Sequence, residues 1–359
     1  SSERSEESVS RRRSLSANAP GTSCGSGGLV PSSDAVLAAA LLPAMRTGRD
    51  LVIDGVVSAR LLAAVATVQD VFVTWDRALR PRDPWYRRIP VSAAATTDDP
   101  GPTGRGTAAF FTGGVDSFFT AVRHRSDLDA LVYVHGFDVA ADSPIRSEVT
   151  RRLADAADGL GLPLVTVETD LRRLSEATGV PWLDHHGAAL AAVAHLLSDR
   201  FDRMLVPATH TYRHLEGLGS HPLIDPLWST ERLRIEHDGA DATRVDKLRT
   251  LADEPAARAH LRVCWENRDG AYNCGRCEKC VRTGVAVRLA GAEGRFATIA
   301  APSLRAVATV RATGRAADWH DARTDLVRSG ANRRLRTAID VALVRHQLAT
   351  WRWTRRWFR

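Results

Sequence analysis

From Thr107 onward the sequence alternates short apolar runs with amphipathic stretches, and this alternation constrains the fold more than any other feature. The spacing predicts strands at Ala108–Phe111, Ala130–His135, Leu164–Glu168 and Met204–Pro207. It predicts helices at Ser117–Arg125, Ile145–Leu160 and Gly187–Leu197. A β-α-β-α order implies an α/β fold, a doubly wound parallel sheet covered by helices on both faces. After Pro207 the pattern is irregular until a helix near Ala242–Ala252. Upstream, Asp34–Met45 reads as a helix with Asp34 near the N-cap, Leu51–Ile53 as a strand, Ser58–Leu79 as an amphipathic helix and Arg87–Ala93 as a strand. Residues 1–33 are rich in Ser, Gly and Arg and carry too little apolar surface to fold, so they read as a disordered tail. The expected organisation is therefore a tail (1–33), an N-terminal α/β extension (34–95), a Thr/Asp/Pro/Gly linker (96–106) and a nucleotide-binding domain (106–255). A cysteine knuckle with its helix (256–295) and a C-terminal extension (296–359) complete it.

Between the first strand and the first helix of the alternating region lies Phe110-Phe111-Thr112-Gly113-Gly114-Val115-Asp116-Ser117. Two glycines allow a tight turn and a close approach of backbone N–H groups to an anion. A helix N-terminus adds unpaired N–H donors and the positive end of its dipole. The hydroxyls of Thr112 and Ser117 can donate to phosphate oxygens. Asp116 would repel phosphate unless it holds a cation, which assigns it to Mg²⁺. Thr112, Gly113, Gly114, Val115, Asp116 and Ser117 are thus the candidate phosphate cradle. The Lys that a Walker-type loop places just before its Ser/Thr is missing.

Four of the five cysteines crowd into one short segment, Cys264, Cys274, Cys277 and Cys280, with C-x9-C-x2-C-x2-C spacing. Four thiolates complete a tetrahedral Zn²⁺ shell with no open position, which makes the site structural. An iron–sulfur cluster accepts the same four ligands, and spacing alone does not separate the two. Gly275 suits the turn around the metal, and Lys279, Arg276 and Arg282 could offset the anionic shell.

The loop Thr112–Ser117 resembles the Ser-Gly-Gly-x-Asp-Ser signature of the PP-loop ATP pyrophosphatases, with Thr in place of the first Ser. Together with the knuckle, Cys264-Trp265-Glu266-Asn267 through Asn273-Cys274-Gly275-Arg276-Cys277-Glu278-Lys279-Cys280, it is similar to the 7-cyano-7-deazaguanine synthase family over about residues 106–290. That resemblance implies ATP, Mg²⁺ and structural Zn²⁺ as cofactors. It also implies attack on the α-phosphate, an adenylated carboxylate or amide, release of AMP and pyrophosphate, and formation of an amide or nitrile with ammonia as nitrogen donor. In such folds nucleotide binds at the carboxyl ends of the strands, which brings Val134-His135-Gly136-Phe137-Asp138, with His135 and Gly136 at its centre, towards adenine or ribose and Pro207-Ala208-Thr209-His210 to the same crevice. Related enzymes bring a basic group to phosphate downstream, where this chain has Glu236-His237-Asp238-Gly239 and Arg244-x-x-Lys247, and this points to Lys247 as a catalytic residue beside Asp116. Lys247 and Lys279 are the only lysines among the basic residues of the chain. In the acceptor segment, Gly219-Ser220-His221-Pro222-Leu223-Ile224-Asp225 differs from the Tyr-Pro-Asp-Cys-Arg-like word of that family. The expectation is another acid or amide, contacted by Ser220, His221 and Asp225. A tRNA-modifying PP-loop enzyme and a non-catalytic nucleotide-binding subunit stay open as alternatives.

The formal charge of +7 belongs to the C-terminal segment from Arg328, where nine Arg face one Asp. A basic body suited to nucleic acid is therefore not implied. The segment ends Trp351-Arg-Trp-Thr-Arg-Arg-Trp-Phe-Arg, and a helix there would align Leu335, Ile339, Ala342 and His346. Docking on the body, RNA stacking and an anionic membrane surface are the three readings of it. Homo-oligomers stay open. No run is long and apolar enough for a spanning helix and no signal-like h-region opens the chain, so a cytoplasmic location is the expectation.

Overall fold

The computed structural model of the chain describes residues 23–24, 29, 31–101, 106–140, 142–311 and 316–357. Most of the segment read as a disordered tail lies outside these residues. Its described strand, β1 (Ser23–Cys24), pairs antiparallel with the edge of the main sheet, so part of that polar stretch is structured.

The N-terminal unit comprises α1 (Ser33–Thr47), β2 (Leu51–Ser58), α2 (Ala59–Leu79) and β3 (Val91–Thr97), with β2 and β3 paired in parallel. Ser32, not Asp34, caps α1, accepting from the Ala35 amide at 3.2 Å. Asp34 instead accepts from the Ser58 amide at 2.8 Å and ties α1 to the start of α2. β3 begins after Pro90, later than expected, and extends into the segment read as linker. Pro90 has no N–H to offer the ladder, and only its carbonyl pairs, with the Leu51 amide.

The main domain runs β4 (Thr107–Phe110), α3 (Val115–Arg123), β5 (Ala130–His135), α4 (Arg146–Leu160), β6 (Leu164–Glu168), α5 (Leu171–Thr178), α6 (Trp182–Leu196), β7 (Arg203–Pro207) and β8 (Arg234–Asp238). The sheet order is β1-β6-β5-β4-β7-β8, and all pairings but that of β1 are parallel. Every residue of β5 is buried, as a central parallel strand covered on both faces requires. Two of these elements escape the sequence pattern. The eight residues of α5 contain two apolar leucines, Leu171 and Leu174, too few for a clear helical stripe. β8 reads Arg-Ile-Glu-His-Asp and buries only Ile235 fully, so as an edge strand it lacks an apolar run.

Strand side chains alternate between two cores. Ala108, Phe110, Val132, Val134, Val165 and Met204 face α6, α1 and α2. Ala109, Phe111, Leu131, Tyr133 and Leu205 face α3, α4 and α7 (Arg244–Leu251), together with α8 (Pro255–His260) and α9 (Glu278–Leu289). The N-terminal unit therefore shares the core of the main domain. Alanines on α1 and α6 let the two helices approach closely, and the buried His185 donates from Nε2 to the Ala39 carbonyl at 2.9 Å. The C-terminal extension adds α10 (Leu304–Thr309), α11 (Ala316–Ser329) and α12 (Arg333–Trp357). These pack on α9 around the fully buried Trp319. Leu335, Ile339 and Ala342 turn inward as the sequence spacing predicts, so α12 docks on the body.

Candidate functional site at the strand switch point

β4 is flanked by β5 on one side and β7 on the other, so the order of winding reverses at its carboxyl end. Open α/β sheets leave a crevice at such a point. Here a cavity of about 200 Å³ lies there, lined by Thr112, Gly114, Val115, Asp116 and Ser117 of the loop.

The loop geometry follows from its glycines and from what lies behind it. Gly113 sits at φ 70°, and a Cβ there would come within 2.7 Å of Leu153 Cδ2. Its carbonyl accepts from the Arg262 amide at 2.7 Å, which anchors the turn on the segment after α8. α3 begins at Val115 with Gly114 as N-cap, two residues earlier than expected. Ser117 is therefore in the first turn of the helix. Its hydroxyl oxygen accepts from the amides of Thr112 at 3.2 Å and Gly114 at 3.1 Å, so it braces the loop from within.

Asp116 is held by cations. Lys247 Nζ donates to Asp116 Oδ1 at 2.8 Å and to the Ala208 carbonyl at 2.7 Å. Arg244 lies 3.9 Å from Oδ2. Burial pushes the carboxyl pKa up, but Lys247 and Arg244 outweigh it and hold it at about 2. Lys247 itself is fully buried behind the loop and does not line the cavity. The cations that do line it are Arg244 and Lys279. Arg244 is positioned by a hydrogen bond from Nη2 to Thr283 Oγ1 at 3.1 Å, on the same helix as Lys279.

Apolar side chains line much of the rest of the cavity: Val134, Phe137, Trp182, Leu190 and Val206, with the Phe137 and Trp182 rings 4.9 Å apart. Asp138 and His186 also line it. His135 and Gly136, expected at this strand end, do not line the cavity. His135 is buried against Tyr133, and burial together with Arg146 pushes its pKa down. Gly136, at φ 96°, lets the chain pass the Thr169 carbonyl, which a Cβ would meet at 2.0 Å. After β7 the cavity takes Pro207 and Thr209, whereas His210 hydrogen-bonds the His214 carbonyl at 3.1 Å.

Ser220 also lines the cavity, delivered by a close backbone approach. A Cβ on Gly187 would lie 2.0 Å from the Gly219 carbonyl oxygen, so α6 and this loop touch backbone to backbone. The Ser220 hydroxyl donates to Asp225 Oδ2 at 2.8 Å, and His237 Nδ1 donates to the same oxygen at 2.7 Å. His221 lies outside the cavity, edge-on to Trp75 at 4.9 Å, and its backbone amide donates to Asp225 Oδ1 at 3.2 Å. Asp225 is thus a buried hub beneath Ser220, and His237, from a run expected to bring a basic group to phosphate, belongs to this group instead.

The four cysteine sulfurs lie within 4.8 Å of one another, with Cys264 and Cys277 Sγ atoms 3.8 Å apart. Four sulfurs about 2.3 Å from a tetrahedral metal sit about 3.8 Å apart, so the cluster fits one ion such as zinc. Backbone amides of Asn267, Cys277 and Cys280 donate to Cys264, Cys274 and Cys277 Sγ at 3.2, 3.3 and 3.4 Å. Asn273 Oδ1 accepts from the Val263 and Cys264 amides and fixes the first ligand. Arg276 and Arg282 do not serve the thiolate shell as expected. Arg276 pairs with Asp269, and Arg282 pairs with Glu278 and Asp318. Cys277 also caps α9, so the knuckle sets the helix that delivers Lys279 to the cavity.

The sequence singles out Arg244, with Lys247, as a basic group for phosphate, whereas Lys279 is legible only as a neighbour of the knuckle. No family model matches the chain, and neither does any curated protein or solved structure.

Proposed function

We propose that the chain binds ATP with Mg²⁺ in the switch-point cavity and splits it to AMP and pyrophosphate, activating a carboxylic acid or amide. The observation that carries this reading is the mixed lining of one cavity, in which a glycine loop at a helix N-terminus and two cations stand with aromatic and aliphatic side chains. A polyanion joined to a flat apolar base calls for both kinds of lining.

In this reading the N–H groups of the Thr112–Ser117 turn, Arg244 and Lys279 hold the phosphates. Lys247 keeps Asp116 ionised and oriented. Asp116 Oδ2 takes no hydrogen bond among the described residues and is the loop oxygen suited to Mg²⁺. Bound Mg²⁺ supplies charge neutralisation on the phosphates. An oxygen of the acceptor attacks the α-phosphorus, the bond from that phosphorus to the β-phosphate oxygen breaks, and pyrophosphate leaves with the electron pair. Arg244 and Lys279 stabilise that leaving charge. Ser220, its proton committed to Asp225, offers lone pairs to a donor group on the acceptor. With a carboxylate, ammonia would then displace AMP and lose a proton to give an amide; with an amide, the adenylated oxygen would leave as AMP and the nitrogen would lose its proton to give a nitrile.

The test is pyrophosphate release from ATP and Mg²⁺ over a panel of carboxylic acids. Asp116→Asn is the informative variant, because Asp116→Ala would strand the buried Lys247 without a partner. It is expected to lower pyrophosphate release at least about 100-fold, by the loss of a charged positioning group. Undiminished release would remove the loop from the chemistry, and no ATP binding by the wild-type chain would end the proposal.

A further inference from the structure

α12 has two dissimilar faces. Leu335, Ile339 and Ala342 are buried on the body, whereas Val341, Val344 and Leu348 are 43, 52 and 54 % exposed. Positions i, i+3 and i+7 lie in one line on a helix, so these three form a continuous aliphatic stripe facing away from the protein. The helix continues to Trp357, and its last residues include Trp351, Arg352, Trp353, Arg355 and Arg356 in the sequence. Among the described residues, Arg333, Arg334, Arg336 and Arg345 have no acidic partner. The one acid of the helix, Asp340, is tied to Arg323 of α11. The outward side is therefore aliphatic along its centre and cationic at its borders.

We propose that this face docks on an anionic lipid bilayer, with α12 lying in the headgroup plane. An aliphatic stripe bordered by Arg, with Trp at its end, gives up apolar area to the acyl boundary while guanidinium groups meet lipid phosphates. RNA would use the arginines and aromatic planes but would leave Val341, Val344 and Leu348 in water. A second copy would bring two arginine-rich borders together. The helix lies on the surface and does not cross it: among the described residues no helix is long and apolar enough to span a membrane.

The experiment is co-sedimentation of the full chain with phosphatidylcholine vesicles with and without about 30 % phosphatidylserine, a typical anionic load. Binding is expected only to the anionic vesicles, weakening as salt rises towards about 0.5 M, where the screening length becomes short. The double variant Val344→Asp, Leu348→Asp is expected to bind at least about tenfold more weakly, because it removes the aliphatic stripe and adds two charges of the repelled sign. Both residues are exposed, so unchanged circular dichroism should accompany the loss. If that variant unfolds, Arg352→Gln with Arg355→Gln and Arg356→Gln alters charge alone and should weaken binding by a similar factor. Absence of binding to anionic vesicles, or binding indifferent to both sets of substitutions, overturns the proposal. Single-stranded RNA binding without vesicle binding assigns the face to nucleic acid. A dimer dispersed by the double variant assigns it to a second copy. Either result ends the lipid reading.

Discussion

Asp116 lies far in sequence from Arg244 and Lys247, which stand about one turn apart on α7, and both cations meet it at the loop. A charge buried this way is tolerable only with its partner, which explains why an ordinary surface-seeking lysine sits at the centre of α7. Buried histidines in α6 solve the same problem by staying neutral. His195 is fully buried, and burial pushes its pKa down to about 4 from 6.5. The unfolded chain takes up the proton first as pH falls, so acid favours unfolding. The neutral, buried form contributes stability that is complete above about pH 6.5 and is lost as pH falls towards 4. The shift corresponds to about 3 kcal/mol at roughly 1.4 kcal/mol per pH unit. His195→Leu should therefore gain stability relative to the wild type by up to about 3 kcal/mol between pH 7.5 and pH 4. Urea unfolding across that range measures it, and a difference independent of pH would show that His195 does not titrate on unfolding.

At the scale of elements, α9 joins the knuckle to the cavity. Cys277 is both a thiolate of the cluster and the N-cap of the helix, Lys279 follows in its first turn, and Thr283 one turn later holds Arg244. If the cluster holds a metal and the cavity a nucleotide as proposed, Cys277→Ser should release the metal and displace both cavity cations. Loss of charged hydrogen bonds of about 1.5–3 kcal/mol predicts nucleotide affinity about ten- to 100-fold lower. Metal analysis and a nucleotide titration on the same preparation read both effects. Metal lost with affinity unchanged would separate the knuckle from the cavity. The same element explains an error of sequence reading. Lys279 and Arg282 look like counter-charges to the thiolates because they are adjacent in the chain. On a helix they point elsewhere, one to the cavity and the other to Glu278 and Asp318.

Across the whole molecule, two additions flank the parallel sheet and neither stands alone. The N-terminal unit completes the core over α6, and the C-terminal helices close over the outer side of α9 through Trp319. The indole donates to Glu278 at 2.9 Å, and Glu278 also pairs with Arg282. Trp319→Ala should cost about 3–5 kcal/mol, as truncation of a fully buried aromatic does. It should also make α11 and α12 more sensitive to protease. Denaturant unfolding and limited proteolysis test this, and a loss below about 1 kcal/mol would mean that the extension is not integrated with the body.

Local periodicity and spacing determined which stretches are helix or strand, where the glycine turn falls and which four cysteines act together. Those signals depend on neighbours in the chain: an apolar face at 3.6 or 2 residues, a bend that needs glycine, thiolates spaced for one ion. β8, α5, α8 and α10 escaped because an edge strand and short helices bury too few side chains to leave a period, and α11 escaped as well. The strand order, the orientation of His135 away from the crevice and the meeting of Arg244 and Lys279 with the loop were decided only in three dimensions. There the chain reverses its winding beside β4, and the competition to bury apolar surface while pairing each buried charge selects among residues that the sequence leaves equivalent.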